Sequence, residues 1–158
     1  MSKTILVTGS SGFIGFNLSK LLMDNGDKVI GVDSYNNAYD PSFKRLRQNV
    51  LNTKNNFKEF ELNLDTKENL ESLEKENIDI VFHLAARAGV RQSFLDPISY
   101  IKDNSIATTN IANFVKDMNI KTLVLASTSS IYGDSGQEEM VEGVNEKIEP
   151  PSIYAASK

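Results

Sequence analysis

The opening stretch Lys3-Thr4-Ile5-Leu6-Val7-Thr8-Gly9-Ser10-Ser11-Gly12-Phe13-Ile14-Gly15 constrains the fold more tightly than any other part of the chain. Ile5, Leu6 and Val7 form a short unbroken β-favouring run, the pattern of a strand buried on both faces of a parallel sheet. Beyond the glycines the period changes. Ile14, Leu18, Leu21 and Leu22 share one helical face, and Asn25-Gly26 supplies a stop. A helix that opens on a glycine turn directly after a central strand aims unpaired N–H groups and the positive end of its dipole at whatever lies above it. That place suits a pyrophosphate.

The glycines stand as G-x-x-G-x-x-G (Gly9, Gly12, Gly15) rather than as the commoner G-x-G-x-x-G. Gly9 permits the turn, Gly12 lets backbone approach a phosphate, and Gly15 lets helix and strand pack closely. An ordinary strand-to-helix turn can carry the same glycines, so the next strand decides. Lys28-Val29-Ile30-Gly31-Val32 ends at Asp33, eighteen residues past Gly15, where a carboxylate meets the hydroxyls of an adenosine ribose. No Arg or Lys lies between Ser34 and Tyr39 to neutralise a 2′-phosphate, so the expected cofactor is NAD rather than NADP.

At 158 residues the chain suffices for one domain with a core of its own. A net charge of −4 without a basic run argues against nucleic acid as a partner. Without cysteine, neither disulfides nor thiolate metal sites can form, and no metal site is expected. No apolar run approaches a membrane span and the first residues already read as a strand. The expectation is a cytoplasmic protein with neither signal peptide nor membrane partner.

Strand-like segments fall near 4–8, 28–33, 57–62, 79–84 and 121–126. Helical patterns lie between them: 13–25, a short helix capped by Ser42 with Phe43, Leu46 and Val50 on one face, and 65–77 with Leu70 and Leu73 inward. A long helix opens at Asp96-Pro97 and runs to about Met118, and another begins near Ser152. The alternation predicts an α/β, Rossmann-type doubly wound parallel sheet with right-handed crossovers and ligand at the carboxyl ends of the strands.

Those carboxyl ends carry the candidates. Asp65, after the third strand, either reaches an adenine amino group or caps the next helix in a capping box with Glu68. After the fourth strand, Leu84, Ala85 and Ala86 are small enough for a flat cofactor to lie against the backbone. His83 sits inside an apolar strand, as a satisfied core histidine does more often than a catalyst. Asn104 falls among Ile101, Thr108, Ile111, Ala112 and Val115 on the inner face of the long helix. A buried amide must be satisfied there, as a clip on neighbouring backbone or as a support for active-site groups. The fifth strand runs into Ala126-Ser127-Thr128-Ser129-Ser130-Ile131-Tyr132-Gly133, a hydroxyl cluster able to bond a substrate oxygen or simply to cap a turn. The chain closes on Tyr154-Ala155-Ala156-Ser157-Lys158, with Tyr and Lys on one helical face. A phenol is too weak an acid to serve as a base at neutral pH; a cation one turn away and a positive nicotinamide ring favour its phenolate.

Val7 to Gly15, His83-Leu84-Ala85-Ala86, Ser127 to Gly133 and Tyr154 to Lys158 together resemble the extended short-chain dehydrogenase/reductases, in particular the nucleotide-sugar epimerase/dehydratase group, over the whole chain. Asp33 to Asp40 and Ala88-Gly89-Val90-Arg91 are most similar to the UDP-glucuronate 4-epimerases. The resemblance implies Tyr154 as catalytic base and acid, Lys158 as the residue that holds the cofactor ribose and tunes Tyr154, and Thr128 as their hydroxyl partner, where those epimerases usually have Ser. It implies NAD held by Gly9, Ser11, Gly12, Phe13, Ile14, Gly15, Asp33, Asn36, Asn37, Leu64, Asp65, Leu84, Ala85, Ala86, Asn104, Ser127, Tyr154 and Lys158. A UDP-sugar would meet Arg91, Thr128, Ser129 and Ser130.

The reaction implied is transient oxidation at the sugar C4, turning of the 4-keto sugar, and return of hydride to its other face. Related 4,6-dehydratases carry Asp and Glu directly after the catalytic Thr, and decarboxylases of the group tend to carry Glu at the second of those positions. Ser129 and Ser130 stand there, which favours simple epimerisation, and Arg91 favours an acidic sugar. Arg87 departs from the Gln usual in these epimerases. UDP-glucose or UDP-N-acetylhexosamine 4-epimerase is the alternative within the group. A non-catalytic NAD-binding module is the alternative outside it, and would not need Thr128, Tyr154 and Lys158 together. The resemblance further implies strands and a carboxyl-terminal substrate domain beyond Lys158, and a homodimer. Residues 1–158 are thus expected to be an amino-terminal NAD-binding domain, incomplete at its C-terminal edge, with little or no turnover alone.

Overall fold

A computed structural model describes residues 2–133 and 150–158. Its five parallel strands are β1 (Thr4–Thr8), β2 (Lys28–Asp33), β3 (Phe57–Glu61), β4 (Ile80–His83) and β5 (Thr122–Leu125). They lie in the order β3-β2-β1-β4-β5. The chain winds outward from β1 to β3, then crosses back to add β4 and β5 on the other side. Thr8 is in register with both Val32 and His83, so the carboxyl end of β1 marks the point where the winding reverses. Open α/β sheets bind ligands in the crevice at that reversal.

Strand alternation divides the core into two layers. Ile5, Val7 and Val29 pack with Met23 of α1 (Phe13–Asp24) and Leu51 of α2 (Pro41–Leu51). Leu6, Ile30, Val32 and Val81 face the other way, onto Leu70 and Leu73 of a 3₁₀ helix (Lys67–Glu76) and onto Ala107, Ile111 and Phe114. Both faces of β1 are therefore covered, as its unbroken apolar run requires. At the outer edge, Val124 and Leu125 of β5 are 41% and 44% exposed.

Helical faces are where the sequence misleads. The buried face of α1 is Gly15, Ser19 and Met23, while Ile14 and Leu21 are 66% and 59% exposed. Small residues let α1 sit close over the turn, and that closeness rotates the larger side chains outward; Leu18 and Leu22 pack only partly. In α2 the cap is Asp40, whose Oδ1 accepts from Ser42 N at 2.9 Å, and Pro41 opens the helix. Phe43, Leu46 and Val50 do share a face, but it is the exposed one; Lys44, Gln48 and Leu51 are buried. The capping box of Asp65 with Glu68 does not form. Thr66 holds the cap position, and Asp65 Oδ1 accepts from the Thr66 hydroxyl at 3.0 Å.

A short helix, α3 (Val90–Leu95), precedes the long one and has no counterpart in the sequence pattern. Asp96 caps the long helix as expected, accepting from Ser99 N at 3.2 Å. It runs as α4 (Pro97–Tyr100), a π-helical segment (Ile101–Ile106) and α5 (Ala107–Asp117). The π segment shifts the faces on either side of it, so Ile101 and Ala112 are exposed although Asn104 and Ile111 are buried. Ser152 caps α6 (Ile153–Ala156), its Oγ accepting from Ala155 N at 3.0 Å.

Candidate cofactor cleft and reaction centre

Gly9 has φ +71°, and a Cβ there would lie 2.9 Å from Ala85 N. A Cβ on Gly15 would come within 2.1 Å of Gly9 O. Both positions demand glycine, one for conformation and one for contact. Gly9 N and Ser10 N donate to Val32 O at 2.7 and 3.2 Å, which braces the turn against β2. Gly12 occupies the cap position of α1 with no side-chain bond, so the leading amides of the helix are left for an anion. This backbone cradle fits a pyrophosphate.

The open cleft above the turn is lined by Gly9, Gly12, Asp33, Asn36, Leu64, Leu84, Ala85 and Ala86 of the expected residues. Phe13 and Ile14 are exposed at the start of α1, Asn37 is exposed, and Asp65 stands half-buried beside Thr66. Ser11 lies beneath the turn, where it donates its hydroxyl to Gln48 Oε1 at 2.8 Å. Among the described residues no cluster of His, Cys, Asp and Glu could hold a metal, and no helix is long and apolar enough to cross a membrane.

Asp33 is 6% exposed and accepts three hydrogen bonds: from Tyr35 N at 2.9 Å, Ser11 N at 3.2 Å and Lys44 Nζ at 3.0 Å. Lys44 is the residue that sequence reasoning missed. It lies outside the Ser34–Tyr39 window, and α2 carries it back to the carboxylate. Its flanks, Phe43 and Leu46, drew attention to the wrong helical face. Since Asp33 neutralises it directly, its presence does not by itself make a 2′-phosphate site. Tyr35, with φ 49°, is held in the left-handed region by the bond from its hydroxyl to Glu59 and by Arg45 stacked 3.5 Å over its ring. Burial, then the bond to Glu59, pushes the Tyr35 phenol well above the ordinary tyrosine range.

On the other side of β1, His83 is the satisfied core residue expected. Its Nδ1 is 2.7 Å from Thr8 Oγ1 and its Nε2 is 3.0 Å from Thr108 Oγ1. Burial, with a smaller contribution from the Lys158 charge, lowers its pKa to about 4, so the ring is neutral at pH 7. Asn104 serves as the clip on neighbouring backbone that its burial requires. Its Oδ1 accepts from Arg87 N at 2.7 Å, and its Nδ2 donates to Arg87 O at 3.1 Å and to Ser157 Oγ at 2.8 Å. The loop after β4 is thereby clipped to Ser157, the residue that ends α6 between Tyr154 and Lys158.

Tyr154 stacks edge-on against Tyr100, ring centroids 6.2 Å apart, and α6 packs against α3, α4 and the 3₁₀ turn Ser129–Tyr132. Burial holds the Lys158 ammonium below the ordinary lysine range. Thr128 Oγ1 accepts from Ser130 N at 3.2 Å, which is capping, yet its hydroxyl hydrogen is still available to donate. Ser127 and Ser129 are exposed beside it, Ser130 is half-buried, and Arg91 is exposed on α3.

A glycine turn, an uncapped helix start and a ribose-height carboxylate at the switch point of a parallel sheet define a dinucleotide-binding α/β protein. Residues 5–158 match the NAD dependent epimerase/dehydratase family, and the chain belongs to that family; its cofactor is NAD. It is 42% identical over 154 residues to a UDP-glucuronate 4-epimerase of Thermodesulfobacterium geofontis, covering 97% of this chain and 47% of that protein. It is 43% identical over 160 residues to an uncharacterized protein of Methanocaldococcus jannaschii, covering 99% and 48%. The crystal structure of UDP-glucuronic acid 4-epimerase from Bacillus cereus, in complex with UDP-glucuronic acid and NAD, superposes with a TM-score of 0.80 at 30% identity, covering 98% and 48%. UDP-N-acetylglucosamine 4-epimerase from Methanobrevibacter ruminantium, in complex with UDP-N-acetylmuramic acid, gives 0.84 at 31% identity, covering 99% and 47%. The chain spans about half the length of the curated relatives it matches.

Proposed function

We propose that the protein is the NAD-holding part of a nucleotide-sugar 4-epimerase whose substrate pair is UDP-glucuronate and UDP-galacturonate. One observation carries this reading: Asn104 ties the Tyr154–Lys158 segment to the loop after β4, at the carboxyl end of the sheet that carries the glycine turn. A non-catalytic binding module would not need Thr128, Tyr154 and Lys158 together. Similarity to UDP-glucuronate 4-epimerases supports the substrate.

NAD, when bound, accepts hydride from the sugar C4 and returns it to the opposite face. Tyr154 takes the proton of the 4-hydroxyl in the forward half and gives it back in the second. Lys158, at the end of the segment that carries Tyr154, holds the cofactor ribose. Thr128 donates to the sugar oxygen as negative charge gathers there. Ser129 and Ser130 offer no carboxylate for an elimination, so the 4-keto sugar is not dehydrated. Arg91 at the start of α3 meets the sugar carboxylate.

In the full-length protein, Tyr154→Phe abolishes interconversion of the two UDP-uronates while NAD still binds. Surviving turnover would remove Tyr154 from the chemistry. Residues 1–158 alone are expected to bind the cofactor with little or no turnover. The Methanobrevibacter ruminantium neighbour favours a second reading, a UDP-N-acetylhexosamine substrate, which a panel of UDP-sugars separates from the first.

A further inference from the structure

Asn36, Asp103 and Arg87 come together from three separate places. Asn36 follows β2, Arg87 follows β4, and Asp103 sits on the π segment. In the sheet β1 lies between β2 and β4, so a bond from Asn36 to Asp103 crosses the crevice outside the carboxyl end of β1. That bond is present: Asn36 Nδ2 donates to Asp103 Oδ2 at 3.2 Å. Arg87 Nε donates to the same oxygen at 2.8 Å. On the β2 side, Lys44 Nζ reaches Asn36 Oδ1 at 3.4 Å while paired with Asp33 at 3.0 Å. Asn36, Lys44 and Asp103 all line the cleft.

We infer that Asn36, Asp103 and Arg87 form a clasp across the adenosine side of the cleft, which sets how slowly the dinucleotide leaves. The inference rests on the cleft being the NAD site. Arg87 and Asp103 are 18% and 19% exposed, so the pair is shielded compared with an open surface pair. Arg87 is itself anchored, its backbone N–H and C=O both bonded to Asn104. The carboxylate is thus fixed from the β4 side before Asn36 reaches it. Asn36 belongs to the loop between β2 and α2, and its Oδ1 also accepts from Ala38 N at 3.4 Å, which stiffens that loop. A dinucleotide lying along the carboxyl ends of β2, β1 and β4 would pass beneath the bond, and its adenosine half would lift out only once the bond opened. Arg87 therefore acts as a positioning residue: it holds Asp103, and Asp103 holds the loop.

Release of NADH from the NADH-loaded protein, followed by the loss of bound-NADH fluorescence on mixing with excess NAD, tests the clasp. A hydrogen bond to a charged acceptor corresponds to a change of roughly ten- to a hundredfold. Asn36→Ala, Asp103→Ala and Arg87→Gln are each expected to speed release by a factor in that range. Because they open one bridge, Asn36→Ala combined with Asp103→Ala is expected to be no faster than the faster single variant. Melting temperatures measured alongside separate faster release from unfolding; should Asp103→Ala fail to fold, Asn36→Ala on its loop and the milder Arg87→Gln decide the matter. Unchanged release in Asn36→Ala with NADH still bound overturns the clasp, as do effects that multiply in the double variant. Failure of the unaltered protein to bind NADH overturns the NAD site itself, which is a different result.

Discussion

Replacing Asp33 with Ala strikes the cleft at its most costly contact. Asp33 and Lys44 are 6% and 7% exposed, and the carboxylate accepts from Lys44, Ser11 and Tyr35. Its removal leaves a buried ammonium and two backbone N–H groups without their acceptor. Breaking a buried pair from one side costs about 3–5 kcal/mol. For a domain of this length each kcal/mol moves the melting temperature by about 2–4 °C, so a fall of roughly 6–20 °C is expected. NAD affinity is expected to drop as well, as the proposed ribose site at Asp33 requires. Adding Lys44→Met removes the stranded charge, and the double variant should recover about 1 kcal/mol or more of the loss. Urea and thermal denaturation followed by circular dichroism read all three variants. Single losses that add to within about 0.5 kcal/mol in the double variant would refute the coupling. So would an Asp33→Ala protein that melts with the unaltered one.

His83 makes stability pH-dependent. Its pKa is about 4 in the folded protein against 6.5 for a free ring, so the unfolded chain binds more protons between those values. Stability is complete above pH 6.5 and falls as pH drops toward 4, by about 3 kcal/mol in all; His83→Gln should flatten that slope in denaturation at stepped pH. Gly15→Ala forces a Cβ to within 2.1 Å of Gly9 O, so both melting temperature and NADH affinity should fall. Gly26→Ala meets nothing within 4 Å but has φ +88°; it should cost about 1–2 kcal/mol and leave NADH titrations unchanged. Asn104→Ala should cost about 1–3 kcal/mol, from the partners it strands, and lower kcat of the full-length protein more than it changes KM.

The strands and the turn could be read from residues because local chemistry dictates them. Gly9 and Gly15 stand where no other residue fits, and the apolar runs of β1 and β4 need cover on both faces. Helix orientation was less legible. Periodicity counts apolar side chains, but α1 packs through Gly15 and Ser19, and α2 turns Lys44 and Gln48 inward to serve Asp33 and Ser11. The π segment defeats a constant helical spacing altogether. Among the candidate residues, Asp33 and the Tyr154–Lys158 pair could be picked out by type and position. Lys44, Asp103 and Arg87 do not, because their partners come from distant segments that only the folded sheet brings together.

Gly12 allows the account to be tested at its centre. An Asp at a helix cap position is favourable to the helix, yet it puts a negative charge where the bridging phosphates must lie. Its Cβ would meet Gly9 O at 3.0 Å, so a melting temperature taken beside the titration checks that the variant is folded. Titration of NADH into the Gly12→Asp protein should show a folded chain that no longer binds, beside an unaltered protein that binds one equivalent. Equal binding by both would mean that the phosphates do not rest on the start of α1.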